Sequence, residues 1–279
     1  MYDLKEFCAP GVNFSDQMID VSGNISLRLI TFTPPVNNNN PAVLFVPGWV
    51  SIMESWQKVL LEMTKDFKVY YLETREKKSS KVRGRIEYSV HAIAQDIVDT
   101  ASLLKLENYI LFGSSLGATA ILESSQLLKK PRALVLVAPN AEFRVPRTWI
   151  FIVKTFSPYL YLAIKPAVKW YLKNFRLDVK SDQAQYNKYS NALDIADPWK
   201  LKKAVLALSK YRAWDILSEI EHPVLLFGAS KDVLHEPGNL EKMAGMMKNV
   251  TFIDMETNTG THSKEMVEEV RKYLLKIQL

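Results

Sequence analysis

One cysteine, Cys8, is the only thiol in the 279-residue chain. An intrachain disulfide is therefore excluded, and a reducing compartment fits. A secretory leader pattern is also missing, since MYDLKEFCAP has no basic start running into an apolar stretch. The most apolar run, WIFIVKTFSPYLYLAIKPAVKWYL from Trp149 to Leu172, is interrupted by Lys154, Lys165, Lys169 and two prolines. It falls short of the roughly 20 uninterrupted apolar residues of a transmembrane helix. The sequence reads as a soluble, cytoplasmic protein. No internal repeat is visible, and low complexity is confined to Asn37–Asn40, which reads as a surface loop. There is no His/Cys/acidic cluster with metal-ligand spacing and no phosphate-cradling glycine loop, so neither a metal nor an organic cofactor is expected. A large excess of one charge is lacking too. The net charge of +6 suits anionic small partners but does not by itself point to nucleic acid.

What is present is alternation. Gln17–Val21 and Ile25–Thr33 read as strands joined by a Ser22-Gly23-Asn24 turn. PAVLFVPG, FKVYYLE, NYILFG, RALVLVAP, PVLLFG and VTFIDM are short apolar runs of the kind buried on both faces of a sheet. Between them lie helical patterns at 54–65, 88–105, 116–129, 201–220, 236–248 and from Ser263 onward. TREKKSSKVRGRI is polar and basic and reads as a loop. Strands alternating with helices predict an α/β fold with a doubly wound, mostly parallel sheet. The alternation stops over 141–200, which is aromatic, basic and free of strand signals. The expected organisation is a core from 1–140 and 201–279 with a helical cap at 141–200.

Gly113-Ser114-Ser115-Leu116-Gly117 lies between an expected strand and an expected helix. A sharp strand-to-helix turn strains its central residue, and residues two positions away must be tiny to avoid collision. G-x-S-x-G in that context is a nucleophile elbow presenting the Ser115 hydroxyl beside a helix N-terminus. A serine hydroxyl is a weak nucleophile and needs a base, which in turn needs an orienting acid. With such an elbow the chain order is Ser, acid, His, each in a loop after a later strand. Of the histidines beyond Ser115, His222 precedes its strand and His235 crowds Asp232 on one loop. His262, in the polar loop after the last strand, is the candidate base. Asp232, just beyond PVLLFG, is the candidate acid, with Glu142 the alternative. His91 reads as a helix-surface or packing residue, and Asp215 and Asp254 as structural carboxylates. An oxyanion needs donors. The Leu116 N–H is one, and the Trp49 N–H after AVLFVPG is the other, with Gly48 allowing close approach.

With these segments the chain resembles the α/β-hydrolase superfamily, in the variant with a helical cap after the sixth core strand. GSSLGA, PVLLFGASKD and GTHSKEMVEEVRKYLL resemble the family's nucleophile, acid and histidine segments, and Asp96 stands where many members carry an aspartate. Pro47-Gly48 replaces the frequent His-Gly, and of the Asp-x-Arg-Gly-x-Gly-x-Ser turn only Arg75 remains, with Glu73 at the aspartate position. A serine nucleophile argues against haloalkane dehalogenases and epoxide hydrolases. The resemblance implies a serine hydrolase of carboxylic esters, working through an acyl-enzyme on a small-molecule substrate. A thioesterase, a lysophospholipase or monoacylglycerol lipase, a carbon–carbon bond hydrolase and a non-catalytic binding protein on the same scaffold are the alternatives.

From Arg144 to Lys180 eight Lys or Arg stand against one Asp, interleaved with aromatic residues. That pattern fits either a cap closing its own small core or an apolar acyl pocket under a basic surface, the latter suiting peripheral contact with anionic lipid. Acyl chain length, leaving group and oligomeric state are not legible in the sequence.

Overall fold

The computed structural model describes residues 3–36, 38–128, 131–176, 179, 183–232 and 238–277. His235, the start of the helix expected from Glu236, Lys129 and Asn37 lie outside the described residues. The strands are β1 (Asn13–Ser22), β2 (Ile25–Thr33), β3 (Ala42–Val46), β4 (Val69–Glu73), β5 (Lys81–Val82), β6 (Tyr109–Ser114), β7 (Leu134–Val137), β8 (Val224–Gly228) and β9 (Val250–Asp254). They form one sheet in the order β1-β2-β4-β3-β6-β7-β8-β9, with β5 paired to β2. β1 and β2 form an antiparallel hairpin, and β2 runs antiparallel to β4. Every pair from β4 to β9 along the sheet is parallel.

Side chains alternate across a strand, so the all-apolar strands feed two cores at once. Leu111 of β6 joins Leu44, Leu134 and Leu226 on one face. Its neighbours Ile110 and Phe112 join Phe45, Val135 and Phe227 on the other. The first face is covered by α2 (Val90–Leu103), α3 (Leu116–Ser124) and α8 (Asn239–Met246). The second is covered by α1 (Gln57–Met63) and α9 (Lys264–Lys276). α2 begins where the Ser89 hydroxyl accepts from the Ala92 N–H and buries Val90, Ile93, Ile97 and Ala101, the face its spacing predicts.

Between β7 and β8 come α4 (Arg147–Thr155), α5 (Leu160–Tyr171), α6 (Gln183–Ile195) and α7 (Pro198–Leu208). α4 and α5 bury no residue completely. Trp149, Phe151, Trp170, Tyr171 and Phe175 are all exposed. The inner sides of α4, α5 and α7 surround an apolar cavity of about 160 Å³ lined by Ile152, Phe156, Tyr161, Val168 and Leu201, among others. Among the described residues no helix is long and apolar enough to cross a membrane.

The helix expected over 54–65 opens as a 3-10 helix at Met53–Trp56, the one expected over 116–129 ends at Ser124, and two further stretches differ more. The single helix expected over 201–220 is α7 followed by a 3-10 helix at Trp214–Glu219. α7 starts earlier because the Asp197 carboxylate accepts from the Trp199 and Lys200 N–H groups with Pro198 in the first turn. It stops because the chain then bridges back to the loop after β7: the Ala213 N–H donates to the Ala141 carbonyl, and the Tyr211 hydroxyl donates to Glu123 Oε2 at 2.8 Å. The polar loop after β4 is buried at Thr74, Arg75, Glu76, Lys77 and Ser80, and it ends in the short strand β5. Helix α7 and the loop after β3 pack over it: carbonyls of the loop after β3 accept from its Lys77, and its own carbonyls accept from Lys200 of α7.

Candidate active site

Because β3, β6, β7, β8 and β9 are parallel, the loops that follow them all emerge at one edge of the sheet, where an open α/β sheet binds its ligands. Those loops carry Gly48, Ser115, Asn140, Asp232 and His262, so the topology alone collects them.

Between β6 and α3 the turn is sharp enough to hold Ser115 at φ 48, ψ −116, a sparsely populated region that costs about 1–3 kcal/mol and persists only when the surroundings enforce it. The surroundings here are backbone. A Cβ on Gly117 would lie 2.2 Å from the Val46 carbonyl oxygen, and one on Gly113 would lie 2.8 Å from the Ala118 nitrogen. Both elbow glycines are thus required by contact. The Ser115 N–H donates to the Val137 carbonyl at 2.8 Å, fastening the turn to β7. Leu116 opens α3, so its N–H belongs to the first turn, which has no intrahelical acceptors. A Cβ on Gly48 would stand 3.1 Å from Ser115 Cβ, which brings the loop of Gly48 and Trp49 against the elbow.

That loop is held from behind by a lysine. Lys77 Nζ donates to the Gly48 carbonyl and, at 3.0 Å, to the Ser51 carbonyl. Lys200 of α7 repeats the device one layer out, donating to the carbonyls of Lys77 and, at 2.7 Å, Ser80. Burial pushes both ammonium groups below their usual range, and the nearby carboxylates, Glu76 and Glu73 for Lys77, Asp197 and Glu76 for Lys200, act against it. Alongside, Arg75 makes a two-pronged pair with Asp96, both contacts 2.7 Å, and its third nitrogen donates to the Glu87 carbonyl.

Ser115 Oγ accepts from Asn140 Nδ2 at 3.0 Å. Asn140 is itself fixed by Thr119, whose hydroxyl oxygen accepts from the Asn140 N–H at 3.0 Å. His262 lies in a 3-10 turn, Gly260–His262, with its ring over Trp56, centroids 4.1 Å apart. Trp56 in turn meets Phe112 of β6 edge-on. His262 Nε2 is 2.7 Å from Lys188 Nζ of α6, and Nδ1 is 2.8 Å from the Asn258 carbonyl oxygen. An ammonium only donates and a carbonyl only accepts, so the tautomer that satisfies both carries its proton on Nδ1 and leaves Nε2 the acceptor. Asp232 is buried, and its Oδ2 accepts from Asn258 Nδ2 at 2.9 Å. Asn258 therefore touches both the candidate acid and the candidate base. Burial, with the Asp232 charge second, raises the Tyr189 hydroxyl far above its ordinary range.

The alternative acid, Glu142, is taken up elsewhere, by ion pairs with Arg144 and Arg212. His91 pairs with Glu123 at 3.3 Å and is largely exposed. Beside His262 opens a polar cavity of about 330 Å³, lined by Gln57, Asn187, Lys188, Asn191 and Asn258 among others. Trp49 lines a smaller space of about 40 Å³ with Ile52, Lys77 and Leu201.

No family model matches the chain. A curated relative, the N-formylmaleamate deformylase of Pseudomonas putida, is 34% identical over 99 residues, which are 35% of this chain and 37% of the relative's length. Among solved structures, an enol-lactonase from Burkholderia xenovorans superimposes with a TM-score of 0.75 at 15% identity, covering 94% of this chain and 99% of its own. A thermophilic esterase from Thermogutta terrifontis gives 0.74 at 18%, covering 95% and 100%, and a hydrolase from Pseudomonas aeruginosa gives 0.74 at 16%, covering 97% and 99%. This chain has the α/β-hydrolase fold.

On that scaffold, several residues at the site carried no sequence signal. Asn140, Asn258 and Lys188 reach it through loop and helix packing, and nothing in VAPN, ETNTGTH or QYNKYS marks them. Trp56 was visible only as an apolar position on a helix. Lys77 lies in a run that reads as solvated, and only its neighbour Arg75 belonged to a recognisable pattern.

Proposed function

We propose that this protein is a serine hydrolase acting on carboxylic esters, with 1–140 and 201–279 as the hydrolase core and 141–200 as a cap over the site. The observation that carries this reading is the backbone of Ser115: a non-glycine residue held at φ 48 by two backbone-crowded glycines, with its hydroxyl at the edge where the Asp232 and His262 loops emerge. Ser115 Oγ attacks the ester carbonyl while His262 Nε2 takes its proton. The Leu116 and Trp49 N–H groups hold the developing oxyanion, the second on a loop stiffened by Lys77. The alcohol leaves with the proton from His262. Water activated by the same nitrogen then releases the acid from the acyl-enzyme. Asp232 holds the tautomer in concert with Asn258, which accepts from Nδ1–H. No cofactor takes part in this scheme, and its substrate is a small molecule.

The direct experiment is hydrolysis of p-nitrophenyl esters from acetate to palmitate by the wild type beside Ser115→Ala. The expected result is activity in the wild type and a loss of at least 10⁴-fold, on the order of a triad deletion, in the variant. Activity that survives the substitution removes Ser115 as nucleophile. A second reading is favoured by the curated relative, whose name describes removal of an N-formyl group. Formate release from N-formyl amides, with inactivity on every ester, would select it.

The exposed aromatic side chains Trp149, Phe151, Trp170, Tyr171 and Phe175, interleaved with lysines, support peripheral contact of the cap with anionic lipid.

A further inference from the structure

The Lys188–His262 contact sets a problem for the reading just given. Nε2 must accept the Ser115 proton, yet in this structure it lies 2.7 Å from the Lys188 ammonium. A base whose lone pair is engaged by an ammonium cannot accept a second proton, so turnover requires that Lys188 be drawn elsewhere. The lysine is on a long flexible stem from α6, and it also donates to Asn258 Oδ1 at 3.3 Å. What draws a partly buried ammonium away is an anion, and the space it faces is built for a small polar one. The cavity beside His262, about 330 Å³, is within the range of small-molecule sites. It is lined by the carboxamides of Gln57, Asn187, Asn191 and Asn258, which solvate an anion without adding charge. One acidic side chain, Glu54, and a second lysine, Lys58, also line it. With the Asp232 carboxylate just behind Asn258, the site carries too little positive charge for a doubly charged phosphate, and a single carboxylate is the anion its two lysines suit. The apolar cavity among α4, α5 and α7 has a separate lining.

We propose that this cavity is a carboxylate subsite, that Lys188 is the residue that pairs with a carboxylate carried by the substrate, and that its transfer from His262 Nε2 to that carboxylate frees the base. The inference rests on the serine hydrolase reading and narrows its substrate class to esters of dicarboxylic acids with one free carboxylate. It makes Lys188 both the specificity determinant and a brake on neutral esters. No bond is made or broken at Lys188: the ammonium exchanges one acceptor for another, and the proton of Ser115 then passes to the vacated Nε2.

The test compares the mono-4-nitrophenyl ester of adipic acid with 4-nitrophenyl hexanoate, which has the same acyl chain without the carboxylate. A charge-assisted contact of this kind is worth roughly 10- to 100-fold in binding. The wild type is expected to favour the adipate ester by about that factor in kcat/KM. Lys188→Met is expected to lose the preference through KM for the adipate ester, while its kcat/KM for hexanoate rises severalfold as Nε2 is released. Lys188→Arg, which keeps the charge, is expected to retain most of the preference. Labelling of Ser115 by a neutral fluorophosphonate reads the nucleophile independently in all three proteins and shows that each is folded. Equal adipate-to-hexanoate ratios in wild type and Lys188→Met, with Ser115 labelled in both, would overturn the subsite and leave the hydrolase reading standing. Absence of labelling together with no hydrolysis of either ester in the wild type would overturn both.

Discussion

Replacing Lys77 with methionine tests whether the buried loop after β4 serves catalysis or only the fold. The side chain is buried and joins three parts of the chain: its own loop, the Gly48–Ser51 loop after β3 and, through its own carbonyl, Lys200 of α7. Methionine fills nearly the same volume, so the cavity contribution is small. What is lost is a pair of charge-assisted hydrogen bonds, each about 1.5–3 kcal/mol, and what is recovered is the desolvation of one ammonium, several kcal/mol. These two nearly offset. The remainder is the stranded partner: Glu76, buried, has its Oε1 3.9 Å from Lys77 Nζ, and removing one member of a buried pair costs about 3–5 kcal/mol. Thr74 still donates to Glu76 Oε1, so a net loss of about 2–4 kcal/mol is expected, roughly 3–7 °C in Tm. The catalytic effect is separate. Losing an oxyanion donor outright costs about 10²–10³ in kcat. A donor kept but loosened should cost less, about 10- to 100-fold in kcat with KM little changed.

The same variant carries a pH signature. Burial holds the Lys77 ammonium below its usual range, so over a window ending near the ordinary value of about 10.4 the unfolded chain keeps a proton that the fold has released. Wild-type stability therefore gains from Lys77 as pH rises through that window, and Lys77→Met lacks the gain. Thermal unfolding at pH 8, 9 and 10 should show the gap in Tm between the two proteins widening. Ester kinetics on the folded variant, well below its Tm, then decide the role. A lowered Tm with unchanged kcat would make Lys77 a structural strut and refute its link to the oxyanion loop. A gap that narrows with pH would refute the assigned direction of its titration.

Two further expectations follow from other parts of the structure. Arg75→Met strands Asp96, almost wholly buried behind a two-pronged pair, and should cost about 3–5 kcal/mol by chemical unfolding. Burial already raises the Asp96 carboxyl against the opposing Arg75, and without the arginine it rises further, so the deficit should be greater at pH 8 than at pH 5. A deficit independent of pH would mean Asp96 finds another partner. For the cap, Trp170→Ser combined with Phe175→Ser removes two exposed aromatic side chains and should weaken cosedimentation with phosphatidylserine-containing vesicles by at least tenfold, with no change in Tm. Equal cosedimentation of wild type and variant would remove the lipid contact.

The parallel part of the sheet was legible because β3, β4, β6, β7, β8 and β9 are short apolar runs, and alternating burial turns such a run into a two-sided core whatever surrounds it. The elbow was legible for a different reason: its glycines answer to backbone atoms of adjacent segments, and that requirement has a fixed spacing in the chain. Neither condition holds for the loop after β4. Thr74, Arg75, Glu76 and Lys77 have the composition of a solvated turn, and their burial depends on carbonyls from the loop after β3 and on α7, far away in sequence. The break between α7 and the following 3-10 helix is of the same kind, since Ala213 and Tyr211 bond to Ala141 and Glu123. Periodicity reports which face of an element is apolar, and it carries no information about such cross-chain bonds.

The same distinction separates the residues of the candidate site. Ser115, Asp232 and His262 are candidates by their order and by the strands they follow, a property of the chain. Asn140, Asn258 and Lys188 are each defined by a contact: with Ser115 Oγ, with Asp232 and His262 together, and with His262 Nε2. These contacts carry the information that chain order lacks. The α/β-hydrolase fold accommodates esterases and lactonases alike, as the structural neighbours illustrate, so the fold leaves the substrate open. A lysine on His262 and carboxamides around the neighbouring cavity are features of this chain, and the proposed substrate choice is argued from them. The acyl chain alone would make the 160 Å³ apolar cavity among α4, α5 and α7 the natural specificity pocket, but His262 opens onto the polar one. If that cavity sets the preference, chain-length series with neutral esters will vary little, and the large effect will appear when one end of the acyl chain is charged.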